Sequence, residues 1–129
     1  MKSLNLQLPL KKKWFEMTKA GIKTEDYREI NEYWIKRLTD NDIDLTVDEI
    51  NAGLCALRDG YTEDHVYNCY GFWFKPFSIN TMTLGYPKST DTERILKLEH
   101  KGIEIREGNP EWGAEPGKIY FVIKHGKVI

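Results

Sequence analysis

The chain has 129 residues, with 19 Lys and Arg against 20 Asp and Glu, a formal net charge of −1. That balance excludes a global basic field able to draw in long DNA or RNA, although a local patch could still do so. Apolar residues at 40% and charged residues at 30% exclude a disordered chain and fit one domain, residues 1–129, that can bury a core without disulfides or a structural metal.

Cys55 and Cys69 form no C-x-x-C pair, so they read as small buried thiols of an intracellular, cytoplasmic protein. The N-terminal residues lack the apolar stretch of a signal peptide. No apolar run approaches the ~18 residues of a membrane span, and no membrane partner is expected. No internal repeat or low-complexity segment occurs.

In chain order, Leu4, Leu6 and Leu8 alternate with Asn5 and Gln7, the period of a half-buried strand over 3–8. Pro9 closes that strand and suits the first turn of a helix. Leu10, Trp14 and Met17 then mark one face of a helix over 10–20, with Lys11, Lys12 and Lys13 mostly off it. Gly21 stands where a helix stops. Residues 24–30 read as a short, unusually polar strand. Asn31 caps a helix carrying Tyr33, Trp34, Ile35 and Leu38. After the acidic loop 40–44, Thr46 and Glu49 fit a capping box. Val47, Ile50, Leu54 and Leu57 give the next helix its apolar stripe, ending near Gly60.

The second half reads as β. Residues 67–77 are rich in aromatics, read chiefly as sheet-packing material. Residues 78–86 alternate through Ile79, Thr81, Thr83 and Gly85. A turn at 87–91 precedes one long strand over 94–106, with a bulge or bend at Gly102. Residues 108–117 are a Gly/Pro loop carrying Trp112, and 119–123 form an apolar strand. The fold class is α+β: a curved or closed sheet decorated by helices.

Asp40, Asp42, Asp44 and Asp48 are spaced like calcium-loop positions, but Leu45 stands where the turn needs Gly and Asn51 where Glu belongs. Helix capping explains these acids. His65, His100 and His125 read as isolated, so neither a metal nor a cofactor is expected. The densest chemistry lies in residues 21–28. In a strand Asp26 and Arg28 share a face, with Lys23 at the entry and Glu25 and Tyr27 opposite. An acid and two cations in a partly dry place perturb one another and can serve as proton carriers. The alternative is a structural ion-pair network at an exposed face.

Gly21-x-Lys23-x-x-Asp26-x-Arg28 resembles the G-x-K-x-x-E-x-R signature of ASCH domains in the PUA-like superfamily, with Asp for Glu at the sixth position. The preceding strand and helix, and the later Glu111-Trp112-Gly113 loop before the final strand, also look like small ASCH-type proteins of bacteria and phages. The resemblance implies a small PUA-like β-barrel with flanking helices and an elaboration at about 39–65. It implies a cleft lined by Gly21, Lys23, Thr24, Asp26, Tyr27, Arg28, Glu111 and Trp112. The partner would be RNA, a nucleotide or a modified nucleoside, with Lys23 and Arg28 on oxygens and Tyr27 or Trp112 stacking. A second implication is an amidohydrolase of N-acetylcytidine type, in which Lys23 and Asp26 are catalytic. Those members carry threonine where Asp26 stands, and Glu99, Glu104 and Glu111 are all candidates for their later glutamate. A third reading is an interaction scaffold of phage origin, working through the helix at 47–57.

Overall fold

The structure, a computed structural model, describes residues 4–88 and 90–129. Strands and α-helices alternate irregularly along them, an α+β arrangement. One sheet has the order β1-β5-β6-β7-β2, with β1 at Leu4–Leu10, β2 at Glu25–Glu29, β5 at Phe77–Leu84, β6 at Ile95–Glu107 and β7 at Ile119–Val128. A separate antiparallel pair joins β3, Thr39–Asn41, to β4, Phe72–Phe74. The chain divides into two compact units, and β2, β6 and β7 each contribute residues to both. No helix among the described residues is long and apolar enough to cross a membrane.

The first unit comprises Met1–Asp26, Pro76–Gly102 and Ile123–Ile129. Its β1 runs parallel to β5, with Leu6 opposite Asn80 and Leu8 opposite Met82. Leu6 and Leu8 are buried while Asn5 and Gln7 are exposed, as the alternation predicts, but Leu4 is exposed, and Leu10, expected on the helix, is a buried residue of the strand. Pro9 does not close the strand; it lies within β1, opposite Thr83. That is possible because β1 is at the sheet edge, where a residue without an N–H breaks no ladder. Helix α1 therefore starts later, at Lys12–Lys19, and buries Phe15 and Thr18. The buried face is thus turned one residue from the predicted one, since Leu10 belongs to β1 and Trp14 and Met17 are only half-buried.

Antiparallel pairing sets Asn80 opposite Leu98 and Met82 opposite Leu96. Leu6, Leu8, Asn80, Met82, Leu96 and Leu98 are all buried, so Asn80 sits at an inward position of an apolar strand face. The alternation expected from the sequence, through Ile79, Thr81 and Thr83, is the other parity of β5. β6 is one long strand, as predicted, and Gly102 within it has φ +111, a value that side chains resist.

The second unit comprises Tyr27–Lys75 and Ile103–Val122. Helix α2, Glu32–Leu38, is capped by Asn31, whose Oδ1 accepts from Trp34 N at 2.9 Å. Helix α3, Val47–Arg58, begins with the predicted capping box: Glu49 N donates to Thr46 Oγ1 and Thr46 N donates to Glu49 Oε1, both at 3.1 Å. Its stripe of Ile50, Gly53, Leu54 and Ala56 is buried, so this face is used in packing within the unit. A Cβ on Gly53 would run into the Phe72 ring.

The aromatic run does not begin as β. Tyr67 and Tyr70 belong to helix α4, Glu63–Tyr70. Thr62 caps it by accepting from His65 N at 3.1 Å, Glu63 and Asp64 fill its first turn, and Gly71 ends it at φ +79. These end signals, each favouring a helix, outweigh the strand preference of the aromatics between them. Only Phe72, Trp73 and Phe74 enter β4. The segment at 39–65 holds β3, α3 and the start of α4.

Cys55 and Cys69 are both exposed, not buried. Cys55 points away from the buried stripe of α3. Cys69 Sγ lies 3.8 Å from His65 Nδ1, one helical turn away.

Candidate functional site

The glycine that opens the signature does structural work. Beyond α1, Ile22 N donates to Met17 O at 3.0 Å and Gly21 N to Thr18 O at 3.1 Å. This is the paired bonding of a Schellman cap, with Gly21 at φ +78 in its left-handed position. Lys23 N also donates to Met17 O, at 3.1 Å. The chain is thereby turned off the helix axis just before Lys23, whose side chain goes inward while Gly21, Ile22 and Thr24 stay exposed.

Lys23 is 3% exposed and Asp26 is 4% exposed. Lys23 Nζ donates to Glu25 O at 2.7 Å and to Asp26 Oδ1 at 3.2 Å. A charged pair this deep loses hydration on both sides, so it persists only because each charge answers the other and further hydrogen bonds assist. Lys23 and Asp26 are therefore a buried pair, not part of an exposed ion network.

His125, on β7, is tied to the same segment: its N–H donates to Thr24 O at 3.0 Å. Burial pushes its imidazole down from the ordinary 6.5 to about 4; Asp26 acts to raise it, and Lys23, then His100, to lower it. Its Nδ1 lies 2.7 Å from Asn80 Nδ2, and Asn80 Oδ1 lies 2.8 Å from His100 Nδ1. His125 Nε2 is buried and has no hydrogen-bond partner among the described residues. The two histidines read as isolated are therefore linked through one asparagine. Asn80, His100 and His125 are the residues that sequence reasoning missed. The signal available was a polar Asn at the same strand parity as Met82 and Leu84.

The other predicted site residues lie in the second unit. Arg28 stands over the Trp34 ring, 4.9 Å from its centroid. Arg37 lies 5.3 Å from the Tyr33 centroid and 5.6 Å from that of Trp34, so α2 and Arg28 build a cation–aromatic cluster. Tyr27 packs on Ala114, Tyr120 and Val122, and its hydroxyl accepts from Asn109 N at 2.8 Å. Its role is to anchor the Gly/Pro loop, and a Cβ at Gly108 would lie 2.7 Å from its ring. Glu111 and Trp112 sit in a single 3-10 turn, Pro110–Trp112, with Glu111 exposed and Trp112 half-buried.

Two of the three candidate later glutamates are held by neighbours. Glu99 pairs with Lys101 at 3.1 Å and accepts from Lys127 N at 3.2 Å, which hold its carboxyl below the usual range. Glu104 accepts from Arg106 Nε at 2.6 Å. Among the described residues no group of three or more His, Cys, Asp or Glu side chains is placed to hold a metal ion.

A cavity of about 580 Å³ in the first unit is lined in part by Asn5, Gln7, Thr81, Thr83 and Lys97. Thr81 follows Asn80 on β5, so these side chains lie on the opposite sheet face from Asn80. The residues named in its lining include no buried charge. The Lys23–Asp26–His125 centre has two, together with a buried nitrogen lacking a partner. A scan of the chain against protein-family models gives no match, and neither curated proteins nor solved structures give a significant one.

Proposed function

We propose that the Lys23–Asp26–His125 centre binds one nucleotide, one modified nucleoside or a single residue of a short RNA, in a domain of the PUA-like, ASCH type whose sheet closes as a small barrel. The observation that carries this reading is His125 Nε2, buried without a partner beside a buried charge pair. Buried polar atoms are nearly always hydrogen-bonded, so an orphan of this kind is a natural place for a ligand atom. A ring nitrogen, an ammonium and a carboxylate also form the mixed donor and acceptor set that matches the edge of a base or a ribose. The near-neutral chain supports one nucleotide rather than a long polynucleotide, whose binding comes largely from phosphate neutralisation. The Arg28–Trp34–Arg37 cluster supports the same chemistry in the second unit, because bases stack on aromatic and guanidinium planes.

Hydrolysis of an acylated nucleoside is the second reading, favoured by the 3.2 Å contact of Lys23 with Asp26, the arrangement of a proton-carrying pair. Binding ranks above it because Lys23 Nζ already donates to both Glu25 O and Asp26 Oδ1, contacts that would have to loosen for Lys23 to give up a proton.

The test is an NMR titration of the folded protein with the four ribonucleoside monophosphates, cytidine, uridine and a six-residue single-stranded RNA. Binding should shift the amide signals of residues 21–26 and 124–126, and His125→Phe should abolish those shifts. If no member of the panel moves these signals or raises the melting temperature, the reading fails. Turnover of N-acetylcytidine that disappears in Asp26→Asn would replace it with the hydrolytic one.

A further inference from the structure

The hydrogen bonds around Asn80 fix more than its own position. Asn80 is fully buried on β5. Its Nδ2 lies 3.3 Å from the Lys124 carbonyl oxygen and 2.7 Å from His125 Nδ1. A carbonyl oxygen only accepts, so the amide must turn its NH2 end toward Lys124 and its oxygen toward His100. The rest follows from that orientation. His125 Nδ1 faces a donor and must be a bare acceptor. A neutral imidazole with a bare Nδ1 carries its proton on Nε2. His100 Nδ1, 2.8 Å from Asn80 Oδ1, faces an acceptor and carries its proton there.

We infer that the His100–Asn80–His125 chain is a positioning device that locks His125 as an Nε2–H donor, so that the ligand must present an acceptor oxygen at that nitrogen. The matching chemistry is a carbonyl or phosphate oxygen. A ligand offering only an N–H at that point would meet another N–H and be refused, because two donors facing one another in a buried place leave both unsatisfied. The charges near the ring oppose one another, Asp26 acting first and Lys23 next, so the polarity at Nε2 rests on the tautomer. Asn80 touches no ligand in this scheme; it sets which nitrogen of His125 holds the proton. Discrimination at the site thus depends on a residue 45 positions away in sequence from the imidazole it controls.

The ligand class rests on the binding reading above, whereas the tautomers stand without it. Nitrogen-15 NMR of the histidine rings at pH 7 reads them directly. The expected spectrum has His125 protonated on Nε2 only and His100 on Nδ1 only. A proton on His125 Nδ1 overturns the inference. Asn80→Asp removes the NH2 donor and leaves acceptors alone, so His125 should move its proton to Nδ1 or take up a second one. An unchanged His125 in that variant would overturn the positioning role; if the variant does not fold, the wild-type spectrum decides by itself.

Uridine and inorganic phosphate, added separately, distinguish the two oxygen sources. Uridine alone shifting the Nε2-bound proton assigns a carbonyl, and phosphate alone assigns a phosphate oxygen. If uridine, phosphate and uridine monophosphate all leave that proton unmoved, the ligand class is wrong. A failed nucleotide titration with the expected tautomers would remove the proposed function and leave the lock in place. Wrong tautomers would remove the lock whatever binds.

Discussion

Lys23→Met tests whether the charge pair at the centre is truly buried. Methionine keeps most of the lysine stem and removes the ammonium, which leaves Asp26 buried without that cation. The side chains of Lys23 and Asp26 are 2% and 6% exposed and their charged atoms are 3.2 Å apart. With an effective dielectric constant of about 20, Coulomb's law gives the attraction as about 5 kcal/mol. Removing one partner of such a pair typically costs about 3–5 kcal/mol, because the remaining charge cannot be rehydrated. Asp26→Leu should cost a similar amount. The double variant, with both charges gone, should recover part of the loss and show coupling above about 1.5 kcal/mol in the cycle. The assay is urea unfolding at pH 7 followed by tryptophan fluorescence. A loss below about 1 kcal/mol for Lys23→Met is the value of an exposed ion pair and would refute the burial argument. So would additivity of the two single changes.

Three further outcomes follow from other parts of the molecule. The unfolded chain takes up the His125 proton first as pH falls, since the folded value is about 4 against an ordinary 6.5; this contribution to stability is complete above about pH 6.5 and falls away by about pH 4, a loss of roughly 3 kcal/mol. His100, also lowered by burial, acts with the same sign, and His125→Phe should flatten the slope of stability against pH over that range; an unchanged slope would count against a neutral buried imidazole. Gly53→Ala pushes a methyl into the buried Phe72 ring and should lower stability by about 1–3 kcal/mol in the same unfolding assay, whereas a neutral result would mean that α3 does not press on Phe72. Cys55 and Cys69 should both react with an aromatic disulfide reagent in the native protein at rates within about tenfold of the denatured chain, because both are exposed; protection of either thiol would return it to the core.

Local signals were legible where one physical cause dominated. The alternation at Leu6 and Leu8, the caps at Asn31 and Thr46 and the apolar run that opens β7 each involve a few neighbouring residues, and each appears where expected. Errors arose where two signals competed. The aromatic content of residues 67–77 argued for strand, while Thr62, two early acids and Gly71 argued for a helix, and the end signals won because they satisfy backbone groups that aromatic packing cannot. Pro9 read as a breaker because the sequence does not say which strand lies at the edge of the sheet. The thiols were misplaced because cysteine is commonly buried, yet Cys55 falls off the stripe set by Ile50 and Leu54.

The centre was half legible for a similar reason. Lys23 and Asp26 are three residues apart, so the local turn that joins them can be inferred from the glycine before them. Asn80, His100 and His125 come from three different strands, and no periodicity connects residues separated by 20 and 45 positions. What the sequence does hold is a polar residue at an inward position of β5, and a buried amide must find partners somewhere. That constraint gives the short signature a narrower meaning. Gly21 shapes a helix cap, and Lys23 with Asp26 forms a charge pair that the fold keeps closed. If the centre binds a ligand as proposed, selectivity rests with an imidazole distant in sequence whose proton is placed by Asn80. A change at Asn80 should therefore alter which ligands fit while leaving every residue of the signature intact.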